Sequence, residues 1–432
     1  MAMSRFNWTG LRLLAAAGAV ICALGAAPAS GVAQAGRSIL EYDDQGRVIG
    51  VTEEEGGDVD TERQQPGFDD PAEDPSAYEP GEILAINPPD SILPRLQSMG
   101  FSLIEKLDLR DLDIAVWRIR TPDRVKTTEA LDQFRRAFPR VITDLNALYT
   151  LSAAPDGNTV SRLPYDRETV GWGAVGPTCG TGLRLGIIDS PVDIDHSSFA
   201  GRKIIHRSFV TPERTAAPGE HGTAIAAMLV GAPSGGTAGG LIPGASLFAA
   251  SIFEDRGGRV IGNLSAMLRS IDWLARHRIQ VLNLSIAGSK NTVLVAAIDR
   301  ALAKGMVLVA AAGNNGPDAK PAWPAAHPGV IAVTAVDKDL SHYRFANQGR
   351  YIDFSAPGVR IVTSTPRGLK EQSGTSFAAP YITSMVAVHL AAGYSSDPEV
   401  LRQSLRRYSV DLGTKGKDQI FGWGLVRLRP DC

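Results

Sequence analysis

From about residue 165 the chain keeps one rhythm, in which continuous apolar runs alternate with segments of helical periodicity. The runs cover 183–188, 246–253, 280–286, 306–312 and 330–336. Between them Leu264, Met267, Leu268, Ile271 and Leu274 make one helical stripe, and Val293, Leu294, Ala297 and Ile298 begin another. A strand that is apolar at every position is buried on both faces, whereas a striped helix has one face to bury. Alternation of the two predicts an α/β domain over 165–432, three layers thick, whose mostly parallel sheet is covered by helices on both faces. In such sheets, reactive side chains gather at the carboxyl ends of strands and on the helices that follow. Asp189 ends one run and Asn314 follows another, while His221 and Ser376 open helical segments.

The stretch 373–380 reads Ser-Gly-Thr-Ser-Phe-Ala-Ala-Pro and leads into the uncharged run 381–392, long enough for a buried core helix. Pro380 is tolerated within a first helical turn, where its missing N–H has no partner to lose. Ser376 then sits at a helix N-terminus, where free N–H groups favour developing negative charge. A Ser/Thr cap on a core helix explains the same stretch equally well when it is taken alone. The wider pattern decides. Gly374-Thr375-Ser376-x-Ala378-x-Pro380 resembles the serine motif of the subtilisin family. Upstream, 185–190 (Leu-Gly-Ile-Ile-Asp-Ser) resembles its aspartate motif, 221–226 (His-Gly-Thr-Ala-Ile-Ala) its histidine motif, and Ala311-Ala312-Gly313-Asn314 its oxyanion asparagine segment. The Asp, His, Ser order is that of subtilisin.

The resemblance implies a serine endopeptidase. Ser376 would be the nucleophile, which at its free pKa needs a neighbouring base. His221 would take and return the proton, and Asp189 would hold the imidazole tautomer. Asn314 would donate its amide to the oxyanion, with Asn315 as the rival donor in a segment of strong turn chemistry. Ser285, Ile286, Ala287 and Gly288 resemble the family strand that pairs with extended substrate, and with Ala311, Ala312 and Gly313 they would wall the substrate pocket. Pro191, Ala224 and Ala287 depart from the usual family residues without removing a reacting group. The family's calcium site is not carried over, because the loop at 231–236 is poor in oxygen-bearing side chains and calcium wants six to eight oxygens. No metal and no cofactor is expected. An α/β-hydrolase esterase would need G-x-S-x-G, but Ala378 holds the second Gly position and the Asp precedes the Ser. An inactive protease fold serving as a binding protein is the non-enzyme alternative, against which stands the presence of all four reacting groups.

The remaining chain reads as export and restraint. Arg5 and Arg12 precede a short apolar run and an Ala33-Gln34-Ala35 site, so 1–35 is expected to be a signal peptide and the product secreted or periplasmic. No second membrane span is expected. Residues 41–80 carry fourteen acidic and two basic side chains, so 36–80 is expected to be a disordered linker. The rest of the chain has no dense basic run, and nucleic acid is not an expected partner. Residues 81–151 follow a β-α-β-β-α-β order, the split-βαβ plan of ferredoxin-like domains. This domain resembles the propeptide domains that precede subtilisin-like enzymes, and the resemblance implies an inhibitor. Its last strand would lie along 285–288, and the surface of its two helices would dock beside the cleft. Cys22 would leave with the signal, which permits one bond between Cys179 and Cys432. The expected partners are polypeptide substrates and the chain's own propeptide.

Overall fold

A computed structural model describes residues 37–42, 48–54, 74–152, 165–233, 237, 239–430 and 432. The expected signal peptide and residues 153–164 lie outside the described residues. The chain divides into two units, 1–63 and 64–432.

In the first unit, β1 (Arg37–Tyr42) and β2 (Val48–Glu54) pair antiparallel, with Ile39 opposite Thr52. This corrects the expectation of disorder for these residues. Ile39, Val48, Ile49, Val51 and Thr52 are strand formers, and they outweigh the acidic composition locally.

The second unit opens with Asp74, which caps the 3-10 turn Pro75–Ala77. Then come β3 (Tyr78–Ile86), α1 (Leu93–Ser98), β4 (Ser102–Leu109), β5 (Ile114–Arg120), α2 (Thr127–Ala137) and β6 (Ile142–Leu151). The small domain therefore starts at Tyr78 or before, ahead of the expected residue 81. Its strands pair antiparallel in the order β6, β3, β5, β4.

A four-stranded sheet has two faces to cover, and the two helices cover one of them. Leu96, Leu131 and Phe134 pack there on Ile83, Trp117 and Ile119. On the other face Leu84, Ile86, Val116 and Tyr149 join the cluster of Leu264, Leu268 and Leu294 from the large domain. The small domain thus docks by its sheet. The expectation that its helices dock is corrected, because their apolar residues are already spent on their own sheet.

The large domain continues with α3 (Asp166–Val170), β7 (Arg184–Asp189), β8 (Lys203–Ser208), α4 (Glu220–Val230) and β9 (Ser246–Ser251). A hairpin of β10 (Phe253–Arg256) and β11 (Arg259–Asn263) precedes α5 (Leu264–Arg276), β12 (Val281–Leu284), β13 (Ile286–Ala287) and α6 (Thr292–Ala303). Next are β14 (Val307–Ala311), β15 (Ile331–Val336), β16 (Phe354–Pro357) and the hairpin β17 (Ile361–Thr365) and β18 (Gly368–Gln372). The chain closes with α7 (Thr375–Ala391), α8 (Pro398–Arg406), β19 (Ser409–Val410) and β20 (Leu425–Val426). The sheet runs β19-β20-β16-β15-β14-β12-β7-β9-β8, and every pairing from β20 to β8 is parallel. Alternate strand residues feed two clusters. Val281, Val307 and Val309 pack with α4 and α7, while Leu282, Leu308 and Ala310 pack with α5 and α6. Among the described residues no helix is long and apolar enough to cross a membrane.

Cys179 is disulfide-bonded to Cys432, with Cα atoms 5.1 Å apart and a sequence separation of 253. The bond ties the segment before β7 to the last residue of the chain. A loop of this length is worth about 5.5 kcal/mol in the chain-entropy model, an upper figure from which strain subtracts. Reduction is therefore expected to lower the Tm of the Ser376→Ala protein by about 10 °C. An unchanged Tm in protein shown by thiol titration to be reduced would contradict this.

Candidate active site

Asp189 is the last residue of β7, at the carboxyl edge of the sheet, and is fully buried. Its Oδ1 accepts from the Ser190 N–H at 2.7 Å and lies 2.7 Å from His221 Nδ1. Pro191 has no N–H to add, and Asp189 Oδ2 has no hydrogen-bond partner among the described residues. His221 is the second residue of α4, and α4 reaches Asp189 closely only because residue 222 is glycine. A Cβ on Gly222 would lie 2.2 Å from the Ser190 carbonyl oxygen, while its N–H donates to Ser190 Oγ at 2.9 Å. Phe377 packs beside the imidazole, with ring centroids 5.4 Å apart. His221 Nε2 is buried and has no partner among the described residues, so Nδ1 is held by Asp189 while Nε2 is left unpaired.

Ser376 is the second residue of α7, which begins earlier than the sequence reading placed it. Pro380 therefore lies beyond the first turn, inside the helix. A proline at this position cannot donate to the carbonyl four residues back. That carbonyl belongs to Ser376, and Ser285 Oγ donates to it instead at 3.3 Å. Ser285 is fixed in turn by Asn283 Nδ2 at 2.9 Å. Asn314 Oδ1 accepts from the Thr375 N–H at 3.1 Å and from Thr375 Oγ1 at 3.0 Å. The amide is thereby oriented, and its Nδ2 is buried with no partner among the described residues. A donor without an acceptor is costly unless something is to arrive. Asn315 is tied elsewhere, its N–H donating to Asn347 Oδ1 at 2.8 Å.

The cleft contains the end of β6. Leu151 is opposite Ile286 and Thr150 opposite Ala287 in antiparallel register, and the Ser152 N–H donates to the Ser285 carbonyl at 3.1 Å. On its other side β6 pairs with β11, Tyr149 opposite Gly262 and Leu148 opposite Asn263. The Ser152 carbonyl oxygen accepts from the Ser376 N–H at 3.1 Å and from the Ser376 hydroxyl. The same hydroxyl lies 3.3 Å from the Ser285 carbonyl, so it is engaged with the strand and not with His221. Tyr149 is fully buried, and a Cβ on Gly288 would come within 2.3 Å of its ring. Gly288 itself exchanges backbone hydrogen bonds with Trp323 at 2.9 Å.

Of the residues expected to wall the pocket, Ser285, Ile286, Ala287 and Gly288 all meet β6. Ala311, Ala312 and Gly313 are buried at the end of β14 and support the site from behind. Gly313 N–H donates to Thr375 Oγ1 at 3.1 Å, and the Ala312 carbonyl accepts from the Tyr351 hydroxyl at 2.7 Å. Ser152, Tyr149, Thr375 and the β10–β11 wall were not anticipated. Gly257-Gly258, both with positive φ, mark the β10–β11 turn and were the available signal for it.

Polar groups complete the docking of the small domain. Asp144 Oδ2 accepts from the Thr292 N–H at 2.8 Å at the start of α6, and Asn146 Oδ1 from the Ser265 N–H at 3.1 Å at the start of α5. Conversely, Asp272 of α5 accepts from the N–H groups of Asp111 and Leu112 at 2.8 and 3.1 Å. Burial pushes the Asp272 carboxyl above its usual pKa, although those two donors act against the rise. Arg256 on β10 bridges Glu79 and the buried Glu254.

Minor extracellular protease Epr of Bacillus subtilis (strain 168) is 31% identical over 255 residues, covering 58% of this chain and 38% of that protein. Subtilisin DY of Bacillus licheniformis is 30% identical over 255 residues, covering 58% of this chain and 90% of that protein. Among solved structures, fervidolysin from Fervidobacterium pennivorans matches with a TM-score of 0.68 at 21% identity, over 82% of this chain and 60% of that chain. That structure is described as a keratinolytic enzyme related to subtilisin; at this identity the likeness speaks for the fold. A sequence model of the subtilase family matches residues 180–424, and the chain belongs to the subtilase family.

Proposed function

We propose that the chain is an exported serine endopeptidase made as a precursor, and that its small domain is a propeptide holding the cleft closed. The observation that carries this reading is the Ser152 carbonyl, whose oxygen meets both the N–H and the hydroxyl of Ser376. The strand before it is paired to β13 as an extended substrate would be. Ser376 Oγ attacks that carbonyl carbon and passes its proton to the open Nε2 of His221. Asp189 stabilises the imidazolium through Nδ1. The Ser376 N–H and Asn314 Nδ2 receive the oxyanion, which explains why a buried amide is left without a partner. His221 then returns the proton to the departing amine of Ala153, leaving Ser152 acylated on Ser376 until water releases it. The engaged Ser376 hydroxyl fits a site occupied by its own strand, and a change of χ1 between staggered positions re-aims it.

Two results test this reading. N-terminal sequencing of the matured protein is expected to begin at Ala153, and the Ser376→Ala precursor is expected to stay uncut. Maturation of the alanine variant at the same bond would mean that another protease makes the cut. Asn314→Ala is expected to lower kcat by about 10²–10³ with little change in KM, a range carried over from the equivalent asparagine of subtilisin. An equal loss on Asn315→Ala with none on Asn314→Ala would move the oxyanion role to the neighbour.

A further inference from the structure

Helix α4 carries His221 at its start, and the connection after its last residue, Val230, must turn back towards β9. The far end of that connection folds onto the helix it left. Leu241 and Ile242 donate their N–H groups to the Met228 and Leu229 carbonyls at 2.8 and 2.9 Å, and Gly240 donates to Gly231 at 2.8 Å. The approach is close enough that a Cβ on Gly240 would lie 2.6 Å from the Val230 carbonyl carbon. Such a turn brings backbone carbonyls together with their negative ends converging, and a cation relieves the repulsion.

We propose that the cation is the guanidinium of Arg167, and that this loop is organised by an arginine where the subtilisin resemblance would suggest calcium. Arg167 lies on α3, and one of its terminal nitrogens donates to the Gly239 and Gly240 carbonyls at 2.5 and 2.7 Å. The other donates to the Gly173 carbonyl at 3.1 Å. The planar fork of a guanidinium spans three acceptors that a point charge could not meet together. The carboxylate of the adjacent Asp166 accepts from the Tyr381 hydroxyl, so it is committed as well. Calcium needs six to eight oxygens, preferably including carboxylates. Here two loop carbonyls already face a fixed positive charge, which would also repel a divalent ion at the same place. Among the described residues, the donor set and the charge both fit the guanidinium and do not fit the metal.

Arg167 is therefore a built-in staple between α3 and the connection after α4, independent of whether Ser376 reacts. The test uses the full chain carrying Ser376→Ala, which prevents self-digestion, and reads hydrogen exchange at the amides of Gly240, Leu241 and Ile242 together with Tm. With Arg167 present, exchange at these amides is expected to be the same in a chelator and in millimolar calcium. Arg167→Met is expected to raise it by roughly tenfold or more, because the carbonyls lose a charged donor, and to lower Tm by several degrees. Arg167→Lys is expected to fall between the two. Exchange that rises in chelator and is restored by calcium in the Arg167 protein would show that a metal holds the loop and overturn the proposal. Unchanged exchange in Arg167→Met would overturn it equally. Should Arg167→Met fail to fold, the chelator comparison on the Arg167 protein decides alone.

Discussion

Ser376→Ala is expected to reduce peptide hydrolysis by about 10⁶-fold in kcat, a magnitude taken over from subtilisin, where the triad acts as one unit. The chemical reason is local. The Ser376 hydroxyl and the N–H of the same residue, at the start of α7, both donate to the Ser152 carbonyl oxygen. His221→Ala is expected to cost about as much, and Asp189→Asn somewhat less, because a held imidazole retains part of its function without the carboxylate. Combining either with Ser376→Ala is expected to add almost nothing. The readout is kcat on a chromogenic peptide amide, with the small domain of every variant removed at a site for an added protease engineered after residue 152, since these variants are not expected to cut themselves. Additive losses would mean that the three side chains do not work together.

Gly288→Val is expected to weaken the hold of the small domain on the cleft by roughly 10–100-fold. The Tyr149 ring lies where the first atom of any side chain at 288 would have to be. Overpacking a filled site costs about 1–3 kcal/mol, which converts to that range. The β13 backbone that pairs with Leu151 and Thr150 is untouched by the change, so the effect falls on the ring and not on the strand. The measurement is the concentration of added small domain needed to silence Gly288→Val enzyme freed of its own, compared with the Gly288 enzyme. Equal inhibition would show that Tyr149 contributes little, and would leave docking to the sheet face and its polar contacts with α5 and α6.

The proposed reacting groups could be picked out in the sequence because each role needs a particular side chain in a particular local context. Asp189 closes an apolar run, His221 precedes a glycine that lets its helix approach, and Asn314 follows a buried strand. The parallel sheet was legible for a similar reason, since doubly buried strands cannot alternate polar residues. What the sequence concealed depends on long-range register. That Ser152, one residue past the expected Leu151, meets Ser376 follows from how β6 aligns with β13 and β11, two segments more than a hundred positions away. The docking face was hidden for a related reason. Leu84, Val116 and Tyr149 look like ordinary strand residues until the partner helices α5 and α6 are known. Pro380 misled the placement of α7, because a proline inside a helix is tolerated only where another donor, here Ser285 Oγ, serves the carbonyl it abandons. Acidic composition likewise concealed the short hairpin of β1 and β2, where a few β-branched residues prevail.

The most direct measurement is covalent labelling of the matured protein with a fluorophosphonate probe, followed by mass mapping of the labelled peptide. One label per molecule is expected, on Ser376, abolished in Ser376→Ala and suppressed in uncut protein while the Ser152 end of β6 fills the cleft. Absence of label in folded, matured protein, or a label on any other serine, would contradict this.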